Sequence, residues 1–234
     1  MLFDGEELLP FQSRKHFDFV SVVYQTTSYF GNTREPPVLN GFDEVVHYTP
    51  DLKLHPKENE LRLRNIGREL SKNAGCTHHL SSDVDEFYFD DEILKARDEI
   101  SDEDFTMVHS ATYYKDPTYR VKNFDILEPF VVPVDNPYEM IPRYPFRIEI
   151  TRRNSRYERY KVLDFTMHHM SYVRRDIRKK FANSCNQKYY QIDKFVSDYD
   201  KHRVGDRVCL IPDFRNRQTE LVENHFNIVC DWLR

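Results

Sequence analysis

The stretch Cys76–Tyr88, CTHHLSSDVDEFY, constrains this chain more than any other. Thr77–Ser82 predicts a short strand that runs out into a carboxylate cluster, Asp83, Asp85 and Glu86, followed by Phe87 and Tyr88. Residues two apart on extended backbone point the same way, so Asp83 and Asp85 are expected to reach the C-terminal edge of a sheet together. Two such oxygens suit a hard divalent cation that keeps waters and a phosphate ligand. Open α/β sheets bind their ligands at that edge. An Asp-x-Asp tripeptide alone also occurs in solvated turns, so its meaning rests on what flanks it.

Upstream, Lys57–Ala74 predicts a helix: Leu61, Ile66, Leu70 and Ala74 fall near helical spacing and Gly75 stands where a helix ends. Before it, Phe19–Gln25 (FVSVVYQ) is a β-branched run that suits a strand buried on both faces, and Glu44–Tyr48 a further short strand. Met1–Phe3 reads as the end of a strand, and Asp4 as the N-cap of a helix running to about His16. The resulting β-α-β-loop-β-α-β order argues for an α/β layer fold with a largely parallel sheet. Downstream, Asp91–Ile100 predicts a helix and Phe105–Tyr114 a strand, while Tyr119–Pro145 is proline-rich and reads as irregular or edge structure. Phe146–Thr151 and Val162–Met170 are expected strands. Val173, Ile177 and Phe181 mark a helix face, Tyr189–Tyr199 a second helix and Asn216–Arg234 a third.

With 39% hydrophobic and 14% aromatic residues, a packed core is expected and disorder is not. The net charge of -5 gives no general argument for nucleic-acid or membrane binding, but it is unevenly spread. Asp83–Asp104 holds 11 acids against Lys95 and Arg97, whereas Arg143–Lys161 holds seven bases against Glu149 and Glu158, and Arg174–Lys188 six against Asp176. An acidic half facing a basic half suits a cation and a polyphosphate held together. Cys76, Cys185, Cys209 and Cys230 form no CxxC, which points to a reduced, intracellular chain with buried thiols. The start, MLFDGEELLP, has neither a basic region nor a long apolar run, so no signal peptide is expected. No apolar run reaches about 18 residues, so no membrane span is expected and the reading is a soluble, cytoplasmic protein. Small size without targeting signals suits a viral or bacterial enzyme.

Four pieces together, VSVVYQTTSYFGN, LRNIGRELSKNAGCTHHLSSDVDEFY, TYYKDPTY and MHHMSYVRRDIRKKFANS, resemble GT-A-fold glycosyltransferases of the broad family-2-like group. The joint occurrence of Arg64-Asn65-x-Gly67, a strand, DxDEFY and a late His-His carries the resemblance. It covers residues 1–186 as one GT-A-like domain, with 187–234 as a helical C-terminal extension packed on it. The fold implied is Rossmann-related α/β, with a mixed, mostly parallel central sheet flanked by helices. The activity implied is transfer of a sugar from a nucleotide-diphosphate donor, a UDP-sugar, to an acceptor hydroxyl with the aid of Mn2+ or Mg2+. The acceptor is a glycan, a protein or modified nucleic acid.

The resemblance also implies roles. Asp83 and Asp85 become metal ligands, Asp83 also reaching the nucleotide, and His168 or His169 completes the metal site. Only one of that pair can point inward from a strand, and His169 is favoured because Ser171 and the basic segment follow it. Tyr24, Gln25 and Ser28 fall at the base and ribose pocket, and Arg64 turns toward the nucleotide. Asn65 and Gly67 read instead as helix packing. On a helix from Arg174 to Lys180, Arg174 and Arg178, like Arg175 and Lys179, share a face; Arg175 and Lys179 are the expected phosphate contacts. Asp116 and Glu149 are the carboxylates available as general base for an inverting reaction. The stripe Arg147, Arg152, Arg153, Arg156 and Arg159 is either an anionic-acceptor surface or a charged hairpin. Two other classes use or retain such residues: a metal-dependent nucleotidyltransferase, disfavoured by the lack of a Gly-rich phosphate loop, and a non-catalytic GT-A-like binding module.

Overall fold

The computed structural model describes residues 3–100, 105–143, 146–151, 160–184, 187–189, 191–210 and 216–233. Met1 and Leu2, Arg152, Arg153, Arg156 and Arg159, and the side chains of Arg147 and Glu149, lie outside what is described.

Elements follow in chain order as β1 (Ser21–Tyr24), β2 (Glu44–His47), α1 (Pro56–Asn73), β3 (His78–Leu80), β4 (Glu86–Phe87), α2 (Asp90–Glu99), β5 (Thr106–Tyr114), β6 (Tyr119–Pro129), β7 (Val131–Pro133), β8 (Glu139–Arg143), β9 (Phe146–Thr151), β10 (Lys161–Tyr172), α3 (Ile177–Asn183), α4 (Ile192–Lys201), β11 (Arg207–Cys209) and β12 (Asn216–Leu221). The chain is mixed α/β. Its main sheet has six strands in the order β11-β12-β6-β5-β10-β4, in which only β5–β10 is parallel. The sheet expected to be mostly parallel is therefore mixed, and antiparallel pairs dominate its main part. A second parallel pair, β1–β2, stands beside it, with antiparallel pairs β3–β7 and β8–β9.

Local chemistry explains the elements that matched expectation. α1 starts because His55 Nδ1 accepts from the Lys57 amide at 3.2 Å, Glu58 Oε2 accepts from the His55 amide at 2.8 Å, and Pro56 sits in the first turn. It stops at Gly75, whose φ of 85° favours glycine. Its buried face, Leu63, Arg64, Gly67 and Ser71, packs against β1 and β3. Gly67 leaves the His79 ring room there, and Asn65 clamps the Tyr138 backbone by accepting from its amide at 2.9 Å and donating to its carbonyl at 3.1 Å.

Three expectations are corrected. The helix from Asp4 is only a 3-10 turn, Glu6–Phe11, entered from Gly5 at φ 87° and holding Pro10, so Asp4 caps nothing. Tyr119–Pro145 is not irregular: β6, β7 and β8 lie in it, with Pro129 and Pro133 at strand ends where a missing N–H costs least. Asn216–Arg234 is not a helix but β12, a loop and a 3-10 turn at Asp231–Leu233. In that loop Asn224 accepts from the Ile228 amide at 3.1 Å and donates to its carbonyl at 2.9 Å, while Asn227 takes a φ of 52°. Asn side chains that bond the local backbone compete with helix formation. The C-terminal part holds the helix expected at Tyr189–Tyr199 as α4 and adds β11 and β12 to the main sheet; Tyr199, Val208 and Leu210 pack with Tyr114, Val121 and Phe181.

Along β10, Leu163 is 1% exposed and Val162 is 42% exposed. Leu163→Ala is expected to cost about 2–5 kcal/mol and Val162→Ala less than about 0.5 kcal/mol in urea unfolding. Equal costs would contradict the assigned strand facing.

Candidate active site

The register of β10 with β4 builds the site. His168 lies opposite Phe87 and His169 opposite Glu86, so Asp85, one residue before β4, falls beside Met170, whose amide donates to the Asp85 carbonyl at 2.7 Å. Adjacent residues on β10 face opposite ways, and it is His169 that faces the acids. Its Nε2 stands 3.6 Å from Asp85 Oδ2. The same oxygen accepts from Lys180 Nζ at 3.0 Å and from Arg174 Nη2. Lys180 Nζ also donates to Ser171 Oγ at 2.9 Å, and Arg174 Nη1 reaches the Met170 and Val173 carbonyls.

Asp85 and Arg174 are buried, with side chains 7% and 4% exposed. Burial alone would raise the Asp85 carboxyl, but Lys180, Arg174 and His169 outweigh it and hold the group well below the carboxylate range. Burial likewise works against a charged His169, and Asp85 outweighs it, so the imidazole is raised. For Lys180 burial and the neighbouring Arg174 prevail, and the ammonium is lowered. The buried Arg174 Nε has no hydrogen-bond partner among the described residues, a donor left over for one more acceptor.

The two aspartates do not act together as the strand argument requires. Val84 and Asp85 form a turn closed by the Glu86 amide donating to the Asp83 carbonyl at 3.1 Å, and the Asp83 amide donates back to Glu86 Oε2 at 3.1 Å. Gln12 Nε2 reaches the carbonyls of both Asp83 and Glu86. In a turn the alternation fails: Asp85 joins Arg174 and Lys180, while Asp83 Oδ2 lies 3.3 Å from Arg64 Nη2. Arg64 also holds Glu60 at 2.9 Å and Ser81 Oγ at 3.0 Å, so it ties α1 to the first aspartate.

Other expected residues are dispersed. His168 is a core group rather than a metal ligand: its Nδ1 pairs with Tyr113 Oη at 2.8 Å, and Phe89 and Phe226 pack on its ring. Arg175 and Lys179 are not the cations on Asp85. Asp176 caps α3 through the Lys179 amide at 2.8 Å, so Arg174 and Arg175 precede the helix and the shared-face argument does not apply to them. The Arg175 side chain is 60% exposed, lies over Trp232 and meets Asp231 at 3.2 Å. The cations that meet Asp85 are Arg174 and Lys180. Asp116 Oδ1 accepts from the Thr118 amide and hydroxyl at 2.8 and 2.6 Å, and so belongs partly to the β5–β6 turn. The Ser28 hydroxyl accepts from the Asn32 amide at 3.1 Å and shapes the loop after β1. Gln25 is buried with its Oε1 lacking a hydrogen-bond partner among the described residues, and the half-buried Tyr24 ring lies 5.0 Å from that of His47.

A cavity of about 490 Å³ opens on the other side of the acidic turn, between β1, β3, α2 and the segment before β1. Ser82, Val84 and Glu86 line it and Asp83 and Asp85 do not. Among the described residues no group of three or more His, Cys, Asp or Glu side chains is arranged to hold a metal ion, and no helix is long and apolar enough to cross a membrane. No protein-family model, no curated protein and no solved structure matches the chain.

Removing the Asp85 carboxylate strands two cations. Asp85→Ala is expected to lose about 3–5 kcal/mol in urea unfolding, Arg175→Ala less than about 0.5 kcal/mol, and Asp85→Leu with Arg174→Met to recover much of the loss. A second expectation concerns His168, which burial, with His225 and Arg120, pushes from 6.5 to about 4. The unfolded chain takes up this proton first, so stability should fall as pH drops from 6.5 toward 4, by about 3 kcal/mol in all. His168→Gln, which keeps an acceptor for Tyr113, should flatten the melting temperature over that window; an unchanged slope would place the acid sensitivity elsewhere.

Proposed function

We propose that the chain is a GT-A-type glycosyltransferase that moves a sugar from a nucleoside-diphosphate donor, a UDP-sugar, to an acceptor hydroxyl, and that the divalent cation enters with the donor. The observation that carries this reading is the convergence of His169, Lys180 and Arg174 on one oxygen of Asp85 at the end of β10. An acid, an imidazole and two cations are the groups needed to bind a cation–diphosphate pair.

Asp85 Oδ2 and His169 Nε2 fit a Mn2+ or Mg2+ ion of the kind that takes one or two protein ligands and fills the rest of its shell with phosphate and water. They do not amount to a closed cage, which is why a substrate-borne ion fits better than a resident one. Such an ion neutralises the departing diphosphate. Arg174 and Lys180 would then exchange Asp85 for phosphate oxygens, with the spare Arg174 Nε–H available to the same group. Gln25 and Tyr24, at the end of β1, are the residues on offer to the base. Asp83, held by Arg64, keeps the turn in place and presents its carboxylate toward the ribose. The acceptor is a glycan, a protein or modified nucleic acid.

The burial of the Asp85 cluster, and its separation from the lining of the large cavity, favour a second reading in which the ion network is structural and the chain binds without catalysis. The assay that separates the two is UDP-sugar hydrolysis with and without Mn2+. Turnover that needs Mn2+ and falls by about 100-fold or more in Asp85→Asn and in His169→Ala is expected, against less than about threefold in Arg175→Ala. Nucleotide transfer in place of hydrolysis would indicate a nucleotidyltransferase, and absence of any turnover the binding module.

A further inference from the structure

The cavity of about 490 Å³ has no part in the reading above, yet its volume is that of a small-molecule site and far exceeds the voids of a packed interior. Its walls are largely apolar. Phe17, Phe19, Leu80, Tyr88, Ile93 and Phe130 reach it from the segment before β1, from β3, from the β4–α2 stretch and from the β6–β7 junction. One wall is an irregular strap, residues 12–20. Arg97 of α2 holds the strap by donating to the His16 carbonyl at 2.6 Å and to Asp18 at 2.9 Å, and Asp90 stands 3.6 Å from His16 and 3.7 Å from Lys15. Arg14, lying over the Phe42 ring, ties the strap to the Asn40 and Gly41 carbonyls at 3.0 Å. Exposed ion pairs of this kind contribute about 0–1 kcal/mol each, so the strap is the wall that yields most easily to an entering molecule.

The charges of the lining are Arg14 and Arg97 against Asp18, Asp90 and Glu86, with the exposed Lys15 reaching Asp90 from outside. Those of the strap and α2 pair with one another or with carbonyls. Of the titratable residues in the lining only Glu86, 4% exposed, and His79, 8% exposed, are buried. His79 Nδ1 is paired with Ser71 Oγ at 2.8 Å. His169, across from Glu86 on β10, lies beside Asp85 and is not in the lining. Glu86 Oε2 accepts from the Asp83 amide at 3.1 Å, and a carboxylate accepts about four such bonds in all. We propose that this cavity is a second ligand site, for a small molecule with an aromatic or aliphatic body and a hydrogen-bond-donating amine or hydroxyl, and that it turns anions away. The walls set the body. Glu86 sets the donor, and a second negative charge beside a buried carboxylate is the arrangement that poorly solvated sites disfavour most. The inference goes beyond the glycosyltransferase reading and does not need it: Ser82, Val84 and Glu86 line the cavity, whereas Asp83 and Asp85, which alternate with them, do not.

Isothermal titration with a matched naphthalene series tests this: 2-(1-naphthyl)ethylamine, 2-(1-naphthyl)ethanol, 1-ethylnaphthalene and 3-(1-naphthyl)propionate. The amine and the alcohol should bind about tenfold or more tighter than the propionate, and about threefold or more tighter than the hydrocarbon. Glu86→Gln should bring the propionate within about threefold of the alcohol. Ala96→Phe, which fills the cavity from α2, should abolish binding. Protection of Cys76, a free thiol in the lining, gives the same location without a variant: the alcohol should slow its alkylation by N-ethylmaleimide about fivefold or more and leave Cys230 unchanged. UDP with Mn2+ should not displace the alcohol. The proposal is overturned if no member of the series binds, if the propionate binds as tightly as the alcohol, if neither Ala96→Phe nor Cys76 protection places the ligand in the cavity, or if UDP with Mn2+ competes. Thermal melts show whether each variant is folded, and the series on the wild-type chain decides the ligand class without any of them. Because no probe carries a sugar or a nucleotide, a chain without UDP-sugar turnover can still pass, and one with turnover can still fail.

Discussion

One carboxylate oxygen organises the centre of this molecule. Asp85 Oδ2 is shared by a guanidinium, an ammonium and an imidazole, in a place where the carboxylate and the guanidinium are almost fully enclosed by protein. A single charge taken there would cost several kcal/mol, and only the set of opposite charges makes the burial tolerable. That mutual dependence ties three parts of the chain to one point: the acidic turn, the end of β10, and the stretch from Arg174 into the first turn of α3. It is also a poor source of net stability, because matched apolar residues fill such a site as well or better. A costly ionic cluster at the end of a sheet strand is therefore more informative about binding than about folding.

The same arrangement explains how a closed cluster can belong to a binding site. With Arg174 and Lys180 folded back on Asp85, the site carries its own substitute for a ligand. In the proposed glycosyltransferase reading, a cation for Asp85 and phosphates for Arg174 and Lys180 would replace each internal contact with an equivalent external one, so that little charge is exposed during the exchange. The spare Arg174 Nε–H points to the same conclusion, since buried donors are rarely left unused. His168, next to His169 in the chain, has no share in this. It is held neutral among Tyr113, Phe89 and Phe226, where it joins β10 to β5 and to the C-terminal loop.

Much of this was legible from residue order where a local signal and the tertiary setting agree. The α1 helix has a capping box at one end and Gly75 at the other, and β1 and β10 announce themselves by β-branched and alternating runs. Strand alternation said that only one of His168 and His169 could face the acids, and His169 was favoured because Ser171 and the basic segment follow it; it is His169 that lies beside Asp85. The failures have equally local causes. Alternation was extended through Asp83–Asp85, where a turn separates the two carboxylates. A helix was started at Arg174, although Asp176 is the cap, which exchanged Arg175 and Lys179 for Arg174 and Lys180. The apolar spacing of the C-terminal segment suggested a helix, and the Asn224 and Asn227 turn chemistry overrode it. Sheet direction was inferred from element order, and the antiparallel partners β6, β11 and β12 lay in segments read as irregular or helical.

The central claim is that a divalent cation reaches Asp85 only in company with a diphosphate. Electron paramagnetic resonance of Mn2+ tests it most directly, because free Mn2+ gives a signal that binding removes. Protein and Mn2+ alone should leave the signal nearly intact; adding UDP should remove it; and Asp85→Asn should restore it to the level of Mn2+ with UDP and no protein. Strong Mn2+ binding without nucleotide, or an Asp85→Asn protein that removes the signal as well as wild type, would contradict the account.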